Sequence, residues 1–295
     1  MFAFSVYDKK FKKIFIVRDR IGIKPVYYGL IGEDKLVFAS ELKAIMSLSS
    51  FKNSIDRDSI SNYMRHGYIP TPNTIYKNIF KLEPGNFLSI SLESLKISKK
   101  AYWSPQYQNY NSFYQSSEPE IINKLEEILD EAIKIRMVAD VPVGAFLSGG
   151  IDSSAVAALM QKSSSRKIKT FSIGFKENNF NEAEYAKKVA KHLGTDHHEY
   201  YLTAKESQNF IKQIPFFFDE PFADSSQIPT LLLSKVTRKN VKVALSGDGG
   251  DEIFAGYNRY VQAKRISHLL NLPTFIKNII SMLIKTLPPS SWNNI

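Results

Sequence analysis

Cysteine is absent from all 295 residues. That absence excludes disulfides, thiolate metal sites and any mechanism in which an enzyme thiol is the nucleophile. Long apolar runs are missing too. A membrane-spanning helix needs ~18 consecutive apolar residues, and even the greasy stretch "FIKNIISMLIKTLP" is broken by lysines. The opening "MFAFSVYDKK" lacks the basic lead, apolar core and small-residue cleavage site of a secretory leader, so a cytoplasmic location is expected. Arginine-rich blocks are also lacking. The net charge of +10 would suit a nucleic-acid binder. The lysines, however, fall in short separated groups, "KKFKK", "KISKK" and "KKVAK", with no aromatic-interleaved ridge. The charge therefore reads as a solvated surface, and neither a nucleic acid nor a membrane is expected as partner.

What is present is ordinary globular composition, 43% hydrophobic and 23% charged, in a chain long enough for two cores. The first hundred residues alternate short apolar runs with turns: "MFAFSVYD", "KIFIVRD", "KPVYYGLIG", "KLVFAS", "GNFLSISL" and "LKISKKAYW". This is hairpin grammar, and "SELKAIMSL" and "DRDSISNYMRHG" read as short capped helices between the strands. The polar, aperiodic segment 104–120 reads as a linker between a region 1–103 and a region 121–295.

After the linker, helix and strand alternate. "EIINKLEEILDEAIKIRMV" is helical, "VPVGAFLSGG" a buried strand, "SSAVAALMQK" a helix and "KIKTFSIGF" a strand. "NEAEYAKKVAKHLG" is a helix, "DHHEYYLT" a strand, "IPTLLLSKVTRK" a helix and "VKVALSG" a strand. That order predicts an α/β fold with a parallel sheet, whose ligands bind beyond the carboxyl ends of the strands. Both glycine-rich turns lie at such ends.

In the first turn, Ser148, Gly149, Gly150, Asp152, Ser153 and Ser154 follow a strand and open a helix, so backbone N–H groups and hydroxyls converge where a phosphate fits. It is not a Walker A loop, because Ile151 and Asp152 stand where lysine and a hydroxyl residue would be. Asp152 beside phosphates calls for Mg²⁺. The bland alternative, a capped helix after a glycine turn, leaves the paired glycines and three hydroxyls unexplained. In the second turn, "LSGDGGDEIFAGYNRY", three glycines and the acids Asp248, Asp251 and Glu252 follow Ser246. Alone this would pass for a solvated acidic loop; beside the first turn it suits a nucleotide carrying Mg²⁺.

"FLSGGIDSS" resembles the pyrophosphate-binding loop of ATP pyrophosphatases. With "TFSIGF", "FNEAEYAKKVAKHLGTDHHE", "DEPFADSSQIPT" and "LSGDGGDEIFAGY" following in order, the chain resembles the synthetase domain of glutamine-dependent asparagine synthetases. The front part, with "VRDRIGIKPVYYG", "FASELKAI" and "GYIPTPNTIYKNIFKLEPGNFL", resembles the later half of the same family's glutaminase domain. The fold this implies is an α/β, parallel-sheet ATP-pyrophosphatase domain of the adenine nucleotide alpha hydrolase kind, preceded by the later part of an α+β N-terminal-nucleophile glutaminase domain.

The resemblance implies a residue-level site. Leu147, Ser148, Gly149, Gly150, Asp152 and Ser153 would hold the phosphates of ATP, Ile173 would lie by the adenine, and Ser246 and Gly247 would line the nucleotide. Asp152 and Asp251 would ligate Mg²⁺, and Asp248 would act on the intermediate. Asp19 would hold the α-amino group of glutamine, its bland alternative being a turn aspartate paired with Arg18 or Arg20. The implied reaction joins L-aspartate, ATP and glutamine or ammonia through β-aspartyl-AMP, and "DEPFADSS" would shape the aspartate pocket. In-line attack of a carboxylate on the α-phosphorus needs no protein nucleophile.

Other features read as structural. His197 and His198, adjacent on a strand, point to opposite faces and suit structural roles better than chelation. Phe216–Phe218 reads as core.

Two departures stand out. The family's glutaminase nucleophile is an amino-terminal cysteine, absent here, so glutamine hydrolysis by this chain is excluded on chemical grounds. Beyond Tyr260 nothing matches the family's long helical end, so a fragment lacking both ends is expected, with an open sheet edge that allows a homodimer. Three other readings stay open: an amidotransferase acting on a sugar or antibiotic carboxylate, a tRNA-modifying ATP pyrophosphatase, and a non-catalytic relic.

Overall fold

A computed structural model describes residues 1–32, 34–52, 54–105, 116–175 and 182–286. Two compact units result: Met1–Lys124 with Leu202–Lys235, and Leu125–Tyr201 with Val236–Ile295. The chain therefore leaves the first unit, builds part of the second, returns to the first and leaves again. The linker expected at 104–120 falls partly on residues 106–115, outside the described residues, and its last part already belongs to helix α3 (Glu118–Met137).

In the first unit, β1 (Ala3–Asp8), β2 (Lys13–Arg18), β6 (Asn86–Ser91) and β7 (Ile97–Ala101) form an antiparallel sheet in the order β1-β2-β6-β7. Alternation decides its inner face: Ile16, Leu88 and Ile90 are buried, while Ser89 and Ser91, alternating with the last two, are only partly so. A second antiparallel sheet, β4-β3-β5, joins β3 (Tyr27–Ile31), β4 (Lys35–Ala39) and β5 (Ile79–Lys81). Tyr28 and Leu36 of that sheet pack with Ile16, Leu88 and Ile90 of the first. Helix α1 (Leu42–Met46) buries Leu42 and Ile45 against Ile79. Helix α2 (Arg57–His66) starts where the Asp56 carboxylate accepts from the Asp58 N–H and the Ser59 hydroxyl, and stops at Gly67 in the left-handed region.

The returning segment 202–235 carries α6 (Ala204–Ile211), opened by a capping box between Thr203 and Glu206, then the single turn α7 (Ile214–Phe217) and most of α8 (Gln227–Thr237). Here the sequence expectation of a phenylalanine core is corrected. Phe216 is 75% and Phe217 45% exposed, because one helical turn cannot bury three consecutive side chains; the two rings pack edge-on against each other instead. Phe218 meets Phe222, with ring centroids 4.7 Å apart.

In the second unit, β8 (Val143–Phe146), β9 (Lys169–Phe175), β10 (Asp196–Leu202) and β11 (Val243–Leu245) give the order β10-β9-β8-β11, with β8 parallel to both β9 and β11. The chain adds β9 and β10 on one side of β8, then crosses to place β11 on the other. That reversal is a topological switch point, and it sits between the two strands that end in glycine turns. Ala145 and Leu147 pack with Ile133 of α3, Ala157 and Met160 of α4 (Ile151–Lys162), and Ala186 and Ala190 of α5 (Ala183–Leu193). Alanines at 183, 186 and 190 let α5 approach closely. Helices α9 (Gly250–Phe254), α10 (Asn258–Leu270) and α11 (Thr274–Thr286) complete the unit. Among the described residues no helix is long and apolar enough to cross a membrane.

Candidate functional site

The first loop begins where the sheet ladder ends. The Leu147 N–H donates to the Phe171 carbonyl at 2.8 Å, and Leu147 itself is buried. Ser148 and Ser153 close the turn, with hydroxyl oxygens 2.9 Å apart, the Ser148 N–H donating to Ser153 Oγ at 3.2 Å and the Gly150 N–H to Ser148 Oγ at 3.2 Å. Gly149 has φ +85°, and a Cβ there would lie 2.6 Å from the Ala186 nitrogen at the start of α5. Only glycine fits. Helix α4 follows its N-cap Gly150 with no side-chain cap, so its first turn presents N–H groups of the kind that bind anions.

β11 runs parallel to β8, with Leu245 opposite Ala145, and this sets the second loop beside the first. A Cβ on Gly247 would lie 2.8 Å from the Ser153 nitrogen, and one on Gly250 would lie 2.5 Å from Asp152 Oδ2. The structure thus brings Ser148, Gly149, Gly150, Asp152 and Ser153 together with Ser246, Gly247 and Gly250. Asp248 stands exposed, accepting from the Ser246 hydroxyl at 2.9 Å. Asp251 opens α9 and folds its carboxylate back over Gly256. Glu252 accepts from the Tyr257 hydroxyl at 2.7 Å, which draws its carboxyl below the usual range. Ile173 is half-buried on β9, next to β8.

Among the described residues, no three His, Asp or Glu side chains gather as a metal cage. Mg²⁺ is ordinarily held by one or two carboxylates, with phosphate oxygens and water filling its octahedron. Asp152 lies against Gly250 and the Asp251 carboxylate against Gly256; a Mg²⁺ arriving on a triphosphate would need no more than one or two such carboxylates from the protein.

Other singled-out residues lie elsewhere. In the first unit Asp19 is 3% exposed and accepts from the N–H groups of Phe2 at 3.2 Å, Ile23 at 3.0 Å and Lys24 at 2.9 Å. Burial pushes its carboxyl up, but the backbone donors outweigh that and hold it below the usual value. Arg18 beside it donates its hydrogen bonds to the carbonyls of Gly22, Lys24 and Leu82. In the second unit the two histidines do face opposite ways. His197 lies between Thr170 Oγ1 (2.9 Å from Nδ1) and Ser172 Oγ (3.3 Å from Nε2), while His198 stacks on Phe171 at 5.2 Å. Burial holds the His197 imidazole below its ordinary pKa.

The acids of "DEPFADSS" have partners that sequence reasoning missed. Asp219 accepts from the Lys43 backbone N–H at 3.1 Å and pairs with its ammonium at 2.9 Å. Glu220 accepts from the Ile75 N–H at 2.7 Å and pairs with Lys81 at 2.6 Å. The only sequence signal was two adjacent acids closing an aromatic run.

A family model described as asparagine synthase matches residues 124–292, more than half of the chain. The chain belongs to the asparagine synthase family. A second model, described as a glutamine amidotransferase domain, matches residues 1–103. The first match also corrects the expectation that resemblance ends near Tyr260: it continues through α10 and α11, whose sequence is too divergent to read by motif. Among curated relatives, "Putative asparagine synthetase (glutamine-hydrolyzing) 2" of Methanocaldococcus jannaschii is 41% identical over 286 residues, covering 96% of this chain and 54% of that protein. Asparagine synthetase (glutamine-hydrolyzing) 1 of Bacillus subtilis is 33% identical over 288 residues, covering 98% and 44%. Amidase chyE of Penicillium rubens is 30% identical over 274 residues, covering 88% and 40%. The chain thus spans about half the length of the curated relatives it matches. Among solved structures, the NH3-dependent NAD synthetase of Campylobacter jejuni gives a TM-score of 0.36 at 18% identity, covering 57% of this chain and 88% of that one.

Proposed function

We propose that this chain carries the ATP-dependent amidation of L-aspartate to L-asparagine, with AMP and pyrophosphate released and ammonia as nitrogen source. The observation that carries the reading is the seating of the Ser246–Asp251 loop against Asp152 at the sheet's switch point, in a member of the asparagine synthase family.

On this reading Leu147, Ser148, Gly149, Gly150 and Ser153 cradle the phosphates of ATP through backbone N–H groups and hydroxyls, with Ser246 and Gly247 lining the nucleotide and Ile173 beside the adenine. Asp152 and Asp251 would hold Mg²⁺, which supplies neutralisation of the triphosphate. The uncapped start of α4 adds its dipole where charge builds at the α-phosphorus. The β-carboxylate oxygen of aspartate attacks that phosphorus, the bond to pyrophosphate breaks, and β-aspartyl-AMP forms. Asp248, exposed at the loop tip, would act on that intermediate before ammonia displaces AMP. Asp19 would receive the α-amino group of glutamine in the front region 1–103. Without a thiol that region cannot hydrolyse glutamine by the covalent route.

The match to an amidase keeps a second acceptor in view, a carboxylate other than aspartate activated by the same loops. Aspartate-dependent pyrophosphate release from ATP, with ammonium added, tests the reading. Release that requires a different carboxylate would shift it to the second acceptor, and no release with any carboxylate would defeat it.

A further inference from the structure

Within the second unit, the first glycine loop hangs from a residue that is held on both faces of its strand. Phe171, wholly buried in β9, gives its carbonyl to the N–H of Leu147, the first residue past β8. Its ring lies over Gly144 of β8, where a Cβ would come within 2.8 Å of Phe171 Cε2. His198 of β10 stacks on the same ring, with planes 14° apart. Thr170 and Ser172, the buried neighbours of Phe171, point to the opposite face of β9 by alternation. There His197 bridges them, Nδ1 to Thr170 Oγ1 and Nε2 to Ser172 Oγ, and Thr170 Oγ1 also meets Thr195 Oγ1 at 2.8 Å. A neutral imidazole offers one donor and one acceptor, which suits two hydroxyls. Burial disfavours its charged form; among the charged groups that face it, Glu199 on β10 opposes that effect and Lys187 on α5 adds to it. Neither histidine belongs to the nucleotide loops, yet together they grip three successive residues of β9, one histidine on each face.

We infer that His197 and His198 are positioning residues: by holding Thr170–Ser172 from both faces they fix the carbonyl from which Leu147, and with it the Ser148–Ser153 loop, is hung. This inference rests on the proposed function only in taking that loop as the seat of the ATP phosphates.

Hydrogen exchange on the full chain tests it. His197→Ala and His198→Ala should each speed exchange of the Leu147 amide about tenfold, while the Met160 amide within α4 keeps its protection. His197→Gln, which carries a donor and an acceptor, and His198→Phe, which keeps the stack, should restore the parent's exchange at Leu147. Affinity for Mg²⁺·ATP by calorimetry should fall about tenfold in the alanine variants and stay within about twofold in the conservative ones. Ser172→Ala removes one end of the bridge and serves where His197→Ala does not fold. Unchanged exchange at Leu147 in the alanine variants would overturn the inference. Equal loosening at Met160 would overturn it too, since that is the mark of general destabilisation, and so would a loosened Leu147 with ATP affinity held or no recovery in the conservative variants. A parent chain that shows the exchange pattern but binds no ATP counts against the proposed function alone.

Discussion

Gly250 lies so close to the Asp152 carboxylate that a methyl group on it would sit 2.5 Å from Oδ2. The contact joins two loops that are almost a hundred residues apart, and it leaves no slack, since the nearest atoms belong to a short side chain at a helix start. Gly250→Ala is therefore expected to displace Asp152 and weaken Mg²⁺-dependent ATP binding by about tenfold or more, a loss of roughly 1.4 kcal/mol per decade. Calorimetry with and without Mg²⁺ checks this, alongside a thermal melt to show that the variant is folded.

Asp251 and Asp248 should not be equivalent. Asp251 opens α9 beside Gly250, whereas Asp248 is exposed and accepts from the Ser246 hydroxyl. Asp251→Asn should lower ATP affinity and adenylation together. Asp248→Asn should leave ATP affinity within about twofold while lowering aspartate-dependent pyrophosphate release. Equal loss of affinity in both variants would refute the division.

Glutamine should not serve as nitrogen donor for this chain. The purified protein is expected to release no glutamate from glutamine, and asparagine should accumulate only with added ammonium. Coupled assays for glutamate and for asparagine read the two outcomes separately.

Asp19→Asn should destabilise the first unit by about 1–3 kcal/mol, because an amide nitrogen would face N–H donors that now meet a carboxylate. Because the folded carboxyl titrates below its ordinary value of 3.8, its contribution is fully present above that value and is lost as pH falls through the folded value. Acid titration followed by circular dichroism should show the wild-type transition at lower pH than the variant's.

His197 has the same sense of pH dependence in another range. Its folded pKa lies below the ordinary 6.5, so the unfolded chain takes up the proton first. Its contribution is complete above pH 6.5 and shrinks as pH falls from there to the folded value. In His197→Gln, which keeps hydrogen-bonding groups for Thr170 and Ser172, urea stability of the second unit should lose this part of its slope.

Local chemistry made much of this legible. Asp56 and Gly67 bracket α2 because a cap and a left-handed stop are short-range needs, and Ser148–Gly150 announced the turn from strand to helix because two adjacent glycines break both. Pairings across long stretches of sequence left no such trace. Lys43 and Asp219 stand 176 residues apart, and nothing periodic links them. Phe216 and Phe217 misled because hydrophobicity states a preference for burial without saying whether a single turn has anywhere to bury it. Asp19 was picked out by motif, yet its backbone donors depend on a loop closure that composition does not encode.

The chain passes between the two units three times, near residues 124, 202 and 235. A cut at the polar stretch before α3 would consequently free neither unit whole: the front piece would lose the stretch that fills its own surface, and the rear piece would carry that stretch with nothing to rest on. Halves exchanged between relatives at that point would have to match at Lys43 and Lys81 as well as at the junction. For this protein the natural unit of recombination is the pair, however plainly the sequence divides in two.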